Sequence, residues 1–290
     1  MKEIPSEQLL SFVDSHVRLA LEEDIRSGDL TTWATVDRNL FGIMKIISRE
    51  GGVAAGVLCA QRTFQLLNPQ VKVKVYVSDG ERFQKGDVIM EIEGRVRDLL
   101  MAERTALNYL QHLSGVATLT RQFVEAVEGT KARITDTRKT IPLWRDLQKW
   151  AVRLGGGVNH RYSLSDAVLI KENHIYAAGG IQKAVKKTRE FLNSIGKKVP
   201  VIVEVENLDQ LKQLEQFWGR ITRVMLDNFH DVDLIREAVE FVAGRVDVEV
   251  SGGVTLENVR DIALAGVDYI SIGRLTHSPK AIDFSALLEK

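Results

Sequence analysis

The chain has 290 residues, 44% of them hydrophobic and 27% charged, with 39 Lys+Arg against 39 Asp+Glu, which suits one large or two modest globular domains with a full core. The zero net charge argues against nucleic acid or an acidic membrane surface as partner, so any basic patch must be local. The opening "MKEIPSEQLL" shows no apolar signal core, the run "GGVAAGVLCA" is too short to span a bilayer, and the one cysteine, Cys59, excludes an intramolecular disulfide; the expectation is a cytoplasmic protein with no membrane partner.

Residues 6–23 carry Leu9, Leu10, Val13, Val17, Ala20 and Leu21 near helical spacing, with Ser6 after Pro5 as an N-cap. "EEDIRSGDLTT" then breaks the helix. From Phe41 to Glu93 the pattern turns to strands, in "GIMKIIS", "VKVKVYV" and "DVIMEIE", with one helix over residues 61–67. Val71, Val73, Val75 and Val77 alternate as on a half-buried strand. "VSDGERFQKGDVIMEIEGRV" is similar to half of a biotinyl or lipoyl carrier motif, but "DVIMEIEG" has no lysine to modify, so a structural, hammerhead-like element is expected. A long helix follows over residues 97–127, with Leu99, Ala106, Leu110, Leu113 and Ala117 along one side and Arg104, Asn108 and Gln111 along another.

After Gly129 short apolar runs end in polar residues and lead into helical segments. They end at Asp136, Lys171, Glu204 with Glu206, Asp227, Ser251 and Gly273; the last four strand ends, beginning at Glu204, lie 23, 24 and 22 residues apart. That is the length of one strand plus one helix, the repeat of a parallel α/β barrel or of a doubly wound sheet. In a barrel these polar strand ends converge on one mouth, where ligands bind.

The residues at that mouth suggest their chemistry. Between Arg138 and Lys171 seven cations face only Asp146 and Asp166. Arg145, Lys149 and Arg153 recur at i,i+4 and read as a solvated helix face. Arg138, Lys139, Arg161 and Lys171 follow strand ends or the "GGGVNH" loop, and read as ligands for a small anion; a lysine after "AVLI" is costly without one. Arginine suits carboxylates through its planar fork, and His160 adds a titratable donor. "SGGVTLENV", with Thr255 as N-cap, and "SIGRLTHS" one unit later present glycines and helix N-termini of the kind that hold phosphate, or serve as plain tight turns. Glu204 and Asp227 fit Mg2+ held through water, sugar hydroxyls, or a fixed ion pair with Lys171 or Lys139.

The segments "EDIRSGDLTT", "ERTALNYLQHLSGVATLT", "DTRKTIP", "GGGVNHRYSLSDAVLIKENH", "EVEN", "MLDN" and "SGG" together resemble the quinolinate phosphoribosyltransferase family, also called carboxylating nicotinate-nucleotide pyrophosphorylase, nearly end to end. The resemblance implies an N-terminal α/β sandwich over residues 1–115, joined by the tail 278–290, and an incomplete parallel α/β barrel over 116–277. It implies conversion of quinolinate and phosphoribosyl pyrophosphate, with Mg2+, to nicotinate mononucleotide, CO2 and pyrophosphate in de novo NAD synthesis. By the same resemblance Arg138, Arg161, His160 and Lys171 hold quinolinate, while Arg104 arrives from a partner subunit of a homodimer or higher oligomer. Lys139 faces the pyrophosphate, Glu204 and Asp227 bind ribose and Mg2+, Ser251, Gly252, Gly253, Gly273 and His277 surround the phosphates, and Thr137, Ser271 and Ile272 are further substrate-binding residues. Lys139, Lys171, Glu204 and Asp227 are the expected catalytic residues. The alternatives are a paralogue of this fold acting on another heteroaromatic acid, and a non-enzymatic carrier or phosphosugar-binding module.

Overall fold

The computed structural model describes residues 6–289, and the chain divides into two units, Met1–Leu119 with Pro279–Lys290, and Thr120–Ser278. The first unit opens with helix α1 (Ser6–Ile25); the cap expected at Ser6 falls on a side chain outside the described residues. The segment expected to be a plain break holds a short helix, α2 (Leu30–Thr35), because Asp29 caps it by accepting the Thr32 N–H at 3.0 Å. There follow β1 (Phe41–Ser48), β2 (Gly52–Val53), α3 (Val57–Leu67), β3 (Lys72–Val75), β4 (Arg82–Phe83), β5 (Val88–Arg95) and α4 (Val96–Ala126).

An antiparallel sheet runs in the order C-terminal strand Phe284–Glu289, β1, β5, β3, so the tail returns to this unit. Met44, Ile46, Ile92 and Phe284 from the sheet bury against Phe64 of α3 and Leu99, Ala106 and Leu110 of α4, forming an α/β sandwich. Helix α3 starts four residues earlier than periodicity suggests. Its cap is remote: the Asp79 carboxylate accepts the Val57 and Leu58 N–H groups at 2.9 and 3.0 Å. Burial pushes Asp79 up to about 6.

The second unit contains β6 (Arg133–Thr135), α5 (Arg145–Leu154), β7 (Val168–Ile170), α6 (Glu172–Ala178), α7 (Ile181–Ser194), β8 (Val201–Val205), α8 (Leu208–Lys212), β9 (Arg223–Asp227), α9 (Val232–Val242), β10 (Asp247–Ser251), α10 (Val259–Leu264), β11 (Tyr269–Ser271) and α11 (Arg274–His277). Its six strands are all parallel, in the order β6-β11-β10-β9-β8-β7. The first strand thus pairs with the last, and the ring stays open between β6 and β7, where only Val158 bridges to Thr135. This is an incomplete barrel rather than a doubly wound sheet. Helix α10 begins after Asn258, not at Thr255; Asn258 Oδ1 accepts the Thr255 N–H at 2.8 Å and closes an intervening turn. Among the described residues no helix is long and apolar enough to cross a membrane.

Candidate active site

Strand alternation decides what reaches the barrel mouth. Val224 and Leu226 of β9 and Val248 and Val250 of β10 are buried in the apolar core, while Met225, Asp227, Ser251 and Ser271 line a cavity of about 630 Å³. The cavity also takes Leu169, Thr137, Arg138, Lys139, His160, Arg161 and Lys171 from the β6 and β7 side. Gly252, Gly253, Ile272, Gly273 and His277 come from the β10 and β11 loops. Of the residues expected at the site, these fourteen besides Leu169 and Met225 are brought together; Glu204 lies behind Lys171, and Arg104 is an exposed residue of α4 in the first unit. Asn228, Val254, Thr255 and Arg274 also line the cavity and were not among the residues expected at the site.

At the cationic end the sequence reading needs two corrections. Lys149 is not part of a solvated face: it is fully buried and ion-paired with Asp136, which is also fully buried and does not line the cavity. Helical spacing alone misled here, because the part of α5 that carries Lys149 packs on the loop after β6. The pair braces the next loop. Lys149 Nζ donates to His160 O at 3.0 Å, and Asp136 accepts from Asn159 Nδ2 at 2.5 Å and His160 N at 2.9 Å. Burial pushes the Asp136 carboxyl up and the Lys149 amine down, each against the pull of the other.

His160 is not a free donor to the cavity either. Its Nδ1 accepts the Arg161 N–H at 2.8 Å, and its Nε2 is buried facing Glu249. Arg161 donates to Ala167 O at 3.0 Å. Burial first, then the neighbouring Arg138 charge, pull its guanidinium below the ordinary value. Arg138 Nε is buried with no hydrogen-bond partner among the described residues. An unpaired buried cationic donor beside a second guanidinium is costly unless an anion completes it.

The opposite end is glycine-built. Gly252 and Gly253 have φ of 89° and 63°, the left-handed region that side chains avoid. A Cβ on Gly252 would collide with Asn228 Oδ1, and one on Gly253 would come within 2.7 Å of His230. Gly273 has ordinary φ, but a Cβ there would meet Lys139 at 2.9 Å and His277 at 3.3 Å. The glycine lets both side chains close over the β11 loop. Thr276 Oγ1 fixes the β6 loop by donating to Lys139 O at 2.7 Å.

Asp227 lines the cavity, and Glu204 lies against Lys171. Glu204 Oε2 accepts from Lys171 Nζ at 2.7 Å, so Lys171 is a half-exposed, paired cation, and the fixed ion pair weighed as one use of Glu204 is present. Asp227 Oδ2 accepts from Asn228 Nδ2 at 3.0 Å. Glu206 lies outside the mouth, lining a separate groove beside α8. Among the described residues no three His, Cys, Asp or Glu side chains cluster as a preformed metal centre.

Models of the quinolinate phosphoribosyl transferase C-terminal domain and N-terminal domain match residues 116–286 and 29–114. The chain belongs to the quinolinate phosphoribosyltransferase family. It is 40% identical over 286 residues to a mitochondrial, decarboxylating quinolinate phosphoribosyltransferase of Nicotiana glauca, covering 94% of this chain and 81% of that one. A carboxylating nicotinate-nucleotide pyrophosphorylase of Mycobacterium leprae is 42% identical over 274 residues, or 92% of this chain and 94% of its own. The solved nicotinate-nucleotide pyrophosphorylase of Francisella tularensis superposes with a TM-score of 0.90 at 40% identity, covering 99% and 98% of the two chains. As a phosphoribosyltransferase, the chain has its mouth residues on the loops at the C-terminal ends of the barrel strands, where α/β barrels bind phosphate.

Proposed function

We propose that this protein transfers the phosphoribosyl group of phosphoribosyl pyrophosphate to the ring nitrogen of quinolinate and releases CO2, yielding nicotinate mononucleotide and pyrophosphate for NAD synthesis. The observation that carries this reading is the polarity of one cavity. Two guanidiniums, one with an unpartnered buried donor, and two left-handed glycines line it together with the Asp227 carboxylate, and Glu204 stands behind Lys171. A small aromatic diacid fits the guanidiniums, a phosphate the glycines, and ribose hydroxyls the carboxylates.

Each group has a task. Arg138 and Arg161 neutralise and orient the two adjacent carboxylates, placing the ring nitrogen toward the sugar. As pyrophosphate departs, positive charge grows on the ribose, where Asp227 and Glu204 offer negative charge, while Lys139 and Lys171 meet the leaving group and the pairing carboxylate. Ribosylation makes the ring nitrogen cationic. When the adjacent carboxylate leaves as CO2, its electron pair stays on the ring carbon beside that nitrogen, stabilised by the neighbouring positive charge, and the carbon then takes a proton from water; the protein supplies position and charge rather than a covalent intermediate.

Mg2+ fits this donor set: it keeps several waters and takes one or two carboxylates together with substrate phosphates, and Asp227 and Glu204 are such a pair. When bound it would neutralise the diphosphate. We further propose a homodimer in which Arg104 of a second copy completes the diacid end, in a cytoplasmic setting that suits the buried, unpaired Cys59. Assaying quinolinate and nicotinate in parallel as phosphoribosyl acceptors tests the reading. Turnover of quinolinate alone supports it; preference for the monoacid points to a paralogous activity, and binding of phosphoribosyl pyrophosphate without pyrophosphate release points to a binding module.

A further inference from the structure

The interior of the barrel below the cavity is polar. Glu249, in the middle of β10, is fully buried between two valines that pack outward. Its Oε2 accepts from Arg223 Nη1 of β9 at 2.7 Å, and Arg223 lies over the Tyr269 ring of β11 at 3.5 Å from the centroid. On the other side Glu249 Oε1 is 3.5 Å from His160 Nε2, and neither atom has a hydrogen-bond partner among the described residues.

The tautomer of His160 follows from its other nitrogen. Nδ1 accepts the Arg161 N–H, so it carries a lone pair, and the proton of the neutral ring sits on Nε2. That proton points toward a carboxylate whose second oxygen is already held by Arg223. The Nε2–Glu249 separation is long for a hydrogen bond, as such contacts are in sites that tighten when ligand binds. Burial resists ionisation of Glu249, but His160 and Arg223 together hold its carboxyl below the ordinary value.

We infer that Glu249 is a positioning residue for the diacid end of the cavity: it fixes His160 in the Nε2–H tautomer, which keeps Nδ1 as the acceptor that sets the His160–Arg161 turn and aims the Arg161 guanidinium. Arg223 anchors the Glu249 carboxylate in turn, so a line of contacts runs from the barrel interior to a cavity arginine that it does not itself touch. The inference rests on the assignment of that end to quinolinate.

Glu249→Gln tests it, because the substitution is nearly isosteric. Arg223 would hold the amide oxygen, leaving the amide NH2 facing His160. Two donors cannot face each other, so the imidazole would move its proton to Nδ1 and lose the Arg161 N–H. Imidazole 15N chemical shifts of histidine-labelled protein report this without substrate. Wild type should show a protonated Nε2 and a pyridine-type Nδ1, and Glu249→Gln the reverse. Loss of one hydrogen bond to the turn corresponds to a rise of about two- to tenfold in the KM for quinolinate, with the KM for phosphoribosyl pyrophosphate unchanged. An Nδ1–H tautomer in the wild type, which needs no variant to fold, overturns the inference. So does a Glu249→Gln protein that keeps both the wild-type tautomer and the wild-type KM for quinolinate. If quinolinate is not turned over by the wild type at all, the proposed function fails, and the tautomer measurements alone decide the role of Glu249.

Discussion

Replacing Lys149 by Met removes the ammonium from a fully buried ion pair and leaves the Asp136 carboxylate inside the barrel wall. Removing one partner of a buried pair costs about 3–5 kcal/mol. Asp136 keeps its bonds from Asn159 Nδ2 and His160 N, which places the loss near the lower end, about 3 kcal/mol. At about 2–4 °C per kcal/mol for a unit of this size, melting should fall by about 6–12 °C. The loss should also depend on pH. In the wild type, burial raises Asp136 against the pull of Lys149; without the lysine the carboxyl rises further above its unfolded value. A carboxyl raised on folding stabilises the protein below its unfolded pKa and loses that contribution as pH climbs through the folded one. The unfolded value is common to both proteins, so the deficit relative to wild type should grow as pH climbs from the raised Asp136 value of the wild type to the still higher one of the variant. Denaturant unfolding across that range, with Asp136→Asn and the double variant completing a cycle, is the assay. The double variant leaves no buried charge and should lose less than the sum of the singles. A loss below about 1 kcal/mol, the value of an exposed pair, with no pH dependence, would refute the reasoning.

Three further outcomes follow from the cavity. Arg161→Ala should weaken quinolinate binding by about 2–5 kcal/mol, roughly thirty- to several-thousand-fold, and leave phosphoribosyl pyrophosphate binding nearly intact; equal losses in calorimetry would remove Arg161 from the diacid end. Gly252→Ala puts a Cβ at a φ of 89° against Asn228 and should raise the KM for phosphoribosyl pyrophosphate more than that for quinolinate, whereas unchanged kinetics would mean that the β10 loop holds no phosphate. Arg104→Ala and Lys171→Ala should each be nearly inactive. Co-refolded, random pairing in a symmetric dimer should restore about a quarter of wild-type activity, and no recovery in heterodimers confirmed by mass spectrometry would refute the shared site.

What could be read from the sequence follows from which forces are local. The strand-helix period after Glu204 and the polar residue at each strand end both have periods of one βα unit, and they gave a parallel α/β architecture, barrel or doubly wound, and most of its mouth: Lys171, Asp227, Ser251 and Gly273 all line the cavity. Side chains that answer to a distant partner were misread. Asp136 stands at a strand end like the others, but Lys149 claims it from the next helix. The same pairing buries the middle cation of a row whose i,i+4 spacing reads as solvated. The start of α3 was hidden because its capping carboxylate, Asp79, lies 22 residues from Val57. Glu249 lies inside its strand and Arg223 at the start of its own, so the pattern of polar C-terminal strand ends does not mark them; the sign of Glu249 is in "VDVEVSGG", a charge two residues before a cavity serine and so on the same strand face.

The most direct test of the central claim is carbon release. Quinolinate labelled in the carboxylate beside the ring nitrogen, incubated with the protein, phosphoribosyl pyrophosphate and Mg2+, should yield labelled CO2 and pyrophosphate in equal amounts, with nicotinate mononucleotide as the remaining product. No labelled CO2 from folded protein, or pyrophosphate release that does not depend on quinolinate, would contradict the account.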